Sequence, residues 1–409
     1  MAIVEIPKIL LPKKNIDYSK WSVIACDQHT SEEDYWNKVN LNTKGSLSTI
    51  NLVLPEIYLK EGEAKVKERV AKINSNMKEY IDNDIFNEVN SFIFVKREMK
   101  KNLYHYGLMI SVDLEEYDYS PKSNLPIRAT EKTVPERLPV RIDIRLHAPL
   151  ELPHILLLMD DRKDEIFNYL KKEINNMDKL YDFNLMENAG HIEGYKVNDS
   201  NKVRDMILNL LDSKTLKEKY GSDSPILFAV GDGNHSLAAA KECWNKIKAG
   251  LTEEEKKTHP ARFALCELQN IYDESLEFEP IHRVVMNADK SFIDYLLELK
   301  GPNKVLMEYQ GNKYYINVSN SPADAIFEIQ NKIDSYLKDH KNVEIDYIHD
   351  EDSLRKVAKE TNGIAIYMPT ITKESLFNHV ANEGVLPRKS FSMGSANTKR
   401  FYLEAKKIR

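Results

Sequence analysis

A mixed α/β fold of the α+β kind, a mixed sheet with flanking helices, is predicted by three features of this chain. Two separate stretches share the order apolar run, polar turn, helix. At least one pair of alternating segments reads as a hairpin. After about Asn287 the pattern starts again, which adds a smaller C-terminal α/β unit.

The first stretch is Trp21-Ser22-Val23-Ile24-Ala25, followed by the turn Cys26-Asp27-Gln28-His29, where Thr30 with Glu33 three residues on forms a capping-box start. Residues 56–81 read as one long charged helix or a helix pair. Residues 92–97 and 104–113 alternate about Lys100-Lys101-Asn102 and predict a hairpin. Over 164–177, Ile166, Phe167, Leu170, Ile174 and Met177 fall at helical spacing, so that helix is amphipathic. A further helix is expected over 201–211.

The second stretch is Ile226-Leu227-Phe228-Ala229-Val230, then Gly231-Asp232-Gly233-Asn234-His235-Ser236, then an alanine-rich run to about Lys248. A short β-branched and aromatic run bounded by glycine predicts a buried strand, and the alanines after it are strong helix formers. Beyond Asn287, segments 305–309 and 313–318 flank Gln310-Gly311-Asn312 as a hairpin. A helix over 323–337, a strand over 343–348, a helix over 353–360 and a strand over 364–368 follow. The expected division is a main α/β domain over residues 1–287, which carries the site, and a smaller α/β domain over 288–409.

Hydrophobic residues make up 42% of the 409 residues, enough for a real core, and 14 glycines with 16 prolines are too few for a disordered or loop-dominated chain. The net charge of −6 is spread along the length without a basic block, so nucleic acid is not an expected partner. Residues 1–11 are apolar but short and broken by Pro7 and Pro12, and are not expected to act as a signal peptide. The longest apolar runs are strand-sized, so no membrane span is expected. Cys26, Cys243 and Cys266 form no Cys-x-x-Cys pair, which fits a reducing compartment and a cytoplasmic location.

The turn at Gly231–Ser236 is the best candidate site. A strand that enters a helix through Gly-Asp-Gly leaves free N–H groups at the helix N-terminus, which attract a phosphate or carboxylate. Gly231 and Gly233 allow positive φ and close approach of a ligand. Asp232 can act as a base or bind a metal, His235 can transfer a proton near neutral pH, and Asn234 and Ser236 can hold phosphate. The purely structural explanation is an ordinary tight turn with N-cap residues.

These residues, continued through Leu237-Ala238-Ala239-Ala240, resemble the signature of domain-of-unknown-function family 1015. So do Ala25-Cys26-Asp27-Gln28-His29, Phe278-Glu279-Pro280-Ile281-His282-Arg283 and Leu386-Pro387-Arg388-Lys389-Ser390. The family's commoner turn, Asp-Gly-His-His-Arg, is similar to the phosphate-binding box of the ParB and sulfiredoxin fold, shared with free serine kinases. The resemblance implies a ParB/sulfiredoxin-like element in the first part and a nucleotide with Mg²⁺ as cofactor. It also implies phosphoryl transfer to a small polar metabolite. This chain departs from the pattern: Asn234 and Ser236 stand in place of the first His and the Arg, so another basic group must supply the bidentate phosphate contact.

Residues 128–145 are the first source of such charge. Arg141, Asp143 and Arg145 alternate with apolar residues, so a strand would present all three on one face. Arg128, Thr130, Glu131, Lys132, Thr133 and Arg137 precede them among three prolines; a solvated edge strand is the plain alternative. The run 388–395, closing with Lys399-Arg400, is the second source, against a charged tail docked on the second domain. Asp27 and His29 would meet Asp232 and His235 as a divalent-metal site if their two strands were neighbours in one sheet. Cys26 reads as a core cysteine, the pair His282-Arg283 as structural, and His147, His154 and His191 as core or surface.

Three functions follow. The leading one is a phosphate- or nucleotide-dependent, kinase-like enzyme with Asp232 and His235 catalytic and with Arg141 and Arg145 neutralising charge. The others are a metal-dependent hydrolase on Asp27, His29, Asp232 and His235, and a non-enzymatic protein that binds a small-molecule anion. Assembly into a homo-oligomer is left open.

Overall fold

A computed structural model of the chain describes residues 3–394 and 398–409. Its centre is a mixed sheet in the order Lys179–Asn184, His191–Lys196, Ile93–Lys100, Leu103–Asp113, Phe263–Asn270, Leu156–Met159, Phe228–Asp232, Ile127–Ala129, Tyr117–Asp118, with Val4–Glu5 added beside Leu103–Asp113. The first five of these strands are antiparallel, each to the next. Leu156–Met159 then lies parallel to Phe263–Asn270 and antiparallel to Phe228–Asp232, which is parallel to Ile127–Ala129.

The apolar runs at 156–159 and 228–230 are continuous because both faces of the sheet are covered there. Successive side chains point to opposite faces. Leu157, Met159, Phe228 and Val230 therefore enter the main core, while Leu158 and Ala229 enter a second core beneath the C-terminal unit. The helix Asn234–Lys248 lays Leu237, Ala240 and Trp244 into the main core; its alanines let it approach closely. Pro139–His147 packs against it and against Glu63–Asp82.

The second sheet is antiparallel, in the order Asn312–Val318, Asn303–Tyr309, Ile364–Ile366, His282–Met286, Glu344–Ile348. Pro322–Asp339 covers it, with Ala325, Ile326, Ile329 and Ile333 buried at helical spacing. His282–Met286 belongs to this sheet, so the second unit's sheet begins before Asn287. The last residues return to the first unit. Phe391–Met393 pairs with Phe278–Pro280, Phe401–Tyr402 with Val23–Ile24, and Lys406–Lys407 with Leu150–Glu151. The chain therefore does not divide at one point.

The long charged segment is a pair, a 3₁₀ turn Glu56–Glu61 and the helix Glu63–Asp82, and both expected hairpins form. Three local expectations are corrected. Residues 141–145 are not a strand but the helix Pro139–His147, begun by Pro139 in its first turn, where a missing N–H costs nothing. Trp21 closes a short helix, Tyr18–Trp21, which leaves only Val23–Ile24 extended. The next helix is Glu33–Thr43 with Glu32 at its N-cap and no side-chain cap, so Thr30 is not the cap.

Candidate anion-binding site

The strand Phe228–Asp232 ends where Gly233, at φ 78°, turns the chain into the helix Asn234–Lys248. A side chain at Gly233 would be strained at that φ and would also press on the Ile155 backbone at 3.0 Å. Gly231 is needed for space: a Cβ there would meet Leu158 Cγ at 2.9 Å and Met393 Cε at 3.1 Å. Among the described residues no side chain caps the helix, so its first N–H groups remain available. Asp232 is committed locally, its Oδ1 accepting from the Gly233 N–H at 2.8 Å and its Oδ2 lying 3.0 Å from Lys399 Nζ.

This helix end faces a cleft of about 270 Å³. One wall carries Lys132, Arg137 and Arg141, and the other carries Arg388, Lys389 and Lys399. Four carboxylates, Asp27, Glu56, Glu131 and Asp232, also reach it. The six cations exceed the carboxylates in number, and one of those carboxyls is protonated for part of the time near neutrality: burial pushes Glu131 up to about 7, against the opposing pull of the Ser390 N–H, Lys389 and Arg388. Asp27, despite its burial, is held below the usual carboxylate range by His154, Gln28, Arg141 and Lys399. The field in the cleft favours an anion.

The tail forms this site by strand-like contact. The Leu386 N–H donates to the Thr130 carbonyl at 2.7 Å and the Lys132 N–H to the Leu386 carbonyl at 3.3 Å, which sets Glu131 beside Arg388 and Lys389. Arg141 pairs with Glu56 across the mouth.

His235 lines the cleft, but its Nε2 accepts the Val134 N–H at 3.2 Å. Burial, with Arg141, Arg137 and Arg388 nearby, lowers its pKa to about 4. The ring is therefore neutral at physiological pH, with the proton on Nδ1. An imidazole NMR titration should show no transition of His235 between pH 5 and 8; a midpoint near 6.5 would refute this. Ser236 Oγ lies 3.1 Å from His154 Nε2, and His154 Nδ1 lies 2.7 Å from the Tyr402 hydroxyl. Asn234 reaches Thr130 at 3.5 Å.

Of the predicted site residues, Asp27, Arg141, Gly231, Asp232, Gly233, Asn234, His235 and Ser236 meet in the cleft. Arg145 and His29 do not line it. Arg145 points from the same helix toward Glu151 at 2.6 Å, which Lys406 also approaches at 3.2 Å. His29 stacks on Tyr35 at 3.7 Å and contacts Glu32 at 2.9 Å. The strand Val23–Ile24 pairs with Phe401–Tyr402 and not with Phe228–Asp232, so the ligand atoms of Asp27, His29, Asp232 and His235 are not gathered into one group. Among the described residues, Asp182, His191 and Glu193 are so gathered, on an exposed hairpin where Lys179 already bridges both carboxylates. His282 and Arg283 are structural: His282 accepts the Met368 N–H, and the fully buried Arg283 bonds Gln330. Ser395 lies outside the described residues. Sequence reasoning left aside His349, which lines the cleft, and His154, which bonds the lining residue Ser236; neither histidine carries a local sign of its partners.

The cleft's cations and helix N–H groups suit the phosphates of a nucleotide. A divalent ion suits it less, because both oxygens of Asp232 and the Oδ1 of Asp27 already hold Lys399, Gly233 and Gln28.

A family model described as Protein of unknown function (DUF1015) matches residues 10–363. No curated protein matches the chain. Solved structures similar to it include a mutant free serine kinase in complex with ADP, at TM-score 0.41 and 9% identity, covering 73% of this chain and 92% of that one. A conserved hypothetical protein from Pyrococcus furiosus follows at TM-score 0.37 and 10% identity, covering 74% and 95%. Free serine kinase in complex with AMP stands at TM-score 0.39 and 11% identity, covering 73% and 92%. No helix among the described residues is long and apolar enough to cross a membrane.

Proposed function

We propose that this chain, which belongs to the DUF1015 family of proteins of unknown function, binds a phosphate ester or anhydride in the cleft and transfers a phosphoryl group to a small polar metabolite. One observation carries the reading: six cationic side chains from three separate stretches converge on an uncapped helix N-terminus. In this reading Arg141, Arg137 and Arg388, which line the same cleft, supply the charge that an arginine in place of Ser236 would carry.

Phosphoryl transfer depends on position and on neutralisation of charge more than on covalent chemistry. In this reading the helix N–H groups hold the transferred phosphate, and Arg141, Arg388 and Lys399 offset its charge. Glu131, with its pKa of about 7, takes the proton from the attacking hydroxyl in the molecules where it is ionised, as the new P–O bond forms and the old one breaks. Asp232 keeps Lys399 in place, and His235 donates a hydrogen bond through Nδ1–H.

Thermal-shift measurements with pyrophosphate, ADP, ATP and CTP at millimolar concentration test this. At least one should raise the melting temperature, since a ligand at about 100 times its Kd adds roughly 2.7 kcal/mol. No shift with any of them refutes the reading. Binding should survive EDTA, because the neutralising charge belongs to the protein; loss of the shift on chelation would assign that charge to a metal. A protein that binds but returns every ligand unchanged would favour anion binding without turnover, which the neutral, fixed state of His235 also fits.

A further inference from the structure

We infer that the cleft's natural ligand is an anion carrying a single ring of about benzene size, and that the ring lies in a second cavity behind Arg141. The inference rests on the anion-binding reading of the cleft.

The second cavity measures about 140 Å³. Its walls include Leu52, Leu54, Met77, Val140, Ile144 and Ala239, drawn from four separate segments. Apolar side chains dominate the surface of this space, so a ring seated there would be withdrawn from water beside the charge that holds the anion. Glu56, Arg141 and Ser236 line both cavities, so the space begins where the anion would be held. Charges at its edge are already paired, Arg141 with Glu56 and Arg145 with Glu151, and His154 is bonded to Tyr402 and Ser236. What remains open is mostly apolar surface.

Size decides the class. An apolar protein cavity of ~150 Å³ holds one benzene, and this one is slightly smaller. It matches one six-membered ring more closely than two fused rings. Pockets for organic ligands begin at roughly 300 Å³; neither cavity alone reaches that, and the two together pass it. The geometry points to a phosphate monoester in which one aromatic ring is joined to the phosphate by a short link, so that Arg141 contacts both parts.

Calorimetric titration of the full chain with inorganic phosphate, methyl phosphate, phenyl phosphate, benzyl phosphate and 1-naphthyl phosphate tests this. Phenyl or benzyl phosphate should bind at least about tenfold more tightly than methyl phosphate, the gain expected for burying one aromatic ring. Naphthyl phosphate should lose that gain. Ala239→Leu fills the cavity and should bring the ratio of methyl to phenyl phosphate Kd close to one; if that variant does not fold, the wild-type series decides alone. Equal affinity for methyl, phenyl and benzyl phosphate overturns the inference and leaves the cleft reading intact. Naphthyl phosphate binding most tightly overturns the one-ring limit. Failure of every phosphate to bind refutes the cleft reading itself, and this inference with it.

Discussion

Arg141→Ala should weaken binding of pyrophosphate or a nucleotide by about 100-fold, more than any other single substitution in the cleft. Two consequences add. A charge-assisted hydrogen bond contributes about 1.5–3 kcal/mol, and a guanidinium can make two to one phosphate. Removal of Arg141 also frees the Glu56 carboxylate, its present partner, to repel the ligand across the mouth. Arg141→Lys restores the charge without the planar fork, so it should recover only part of the loss. Adding Glu56→Gln to Arg141→Ala should improve on the single substitution, because the repelling charge is gone. The fold should change little, since Arg141 contributes no backbone contact beyond one to Arg137 in the turn before it. Calorimetry reads all three variants; an Arg141→Ala protein that binds like wild type would show that the anion sits elsewhere.

The strand–turn–helix at 228–248 and both hairpins were legible in the sequence because each is local. Apolar alternation, a glycine at the turn and an alanine run all act within a few residues. Arg141, Asp143 and Arg145 were ambiguous: they alternate as a strand would, yet Arg141 and Arg145 are also one helical turn apart. Pro139 was the deciding signal, since proline is favoured in the first turn of a helix and unfavourable inside a sheet. The tail could not be placed from sequence. Arg388 and Lys389 reach the cleft only because Leu386 pairs with the backbone around Glu131, a contact across more than 250 residues that no local pattern encodes. The same holds for His154, whose partners Ser236 and Tyr402 lie 82 and 248 residues further along the chain.

Glu131→Gln should raise the melting temperature at pH 8 and leave it nearly unchanged at pH 4.5. Burial lifts the folded-state pKa of Glu131 from 4.5 to about 7. A group whose pKa is raised on folding gives its full stability below the unfolded pKa and loses it as pH rises through the folded one. The window is therefore pH 4.5 to about 7, and above it the penalty is constant. At about 1.36 kcal/mol per pH unit this is at most roughly 3 kcal/mol, reduced by whatever water reaches the carboxyl from the cleft. Glutamine is neutral throughout and carries no such penalty. The same proton couples to the ligand: an anion favours the protonated carboxyl, so binding raises its pKa and takes up a proton. Affinity for a sulfate ester, whose charge is fixed over this range, should fall as pH rises through 7 in the wild type and stay level in Glu131→Gln. Parallel pH profiles for the two proteins would place the titrating group elsewhere. Under the phosphoryl-transfer reading the variant should also bind ligand and fail to turn it over, since glutamine cannot accept the hydroxyl proton.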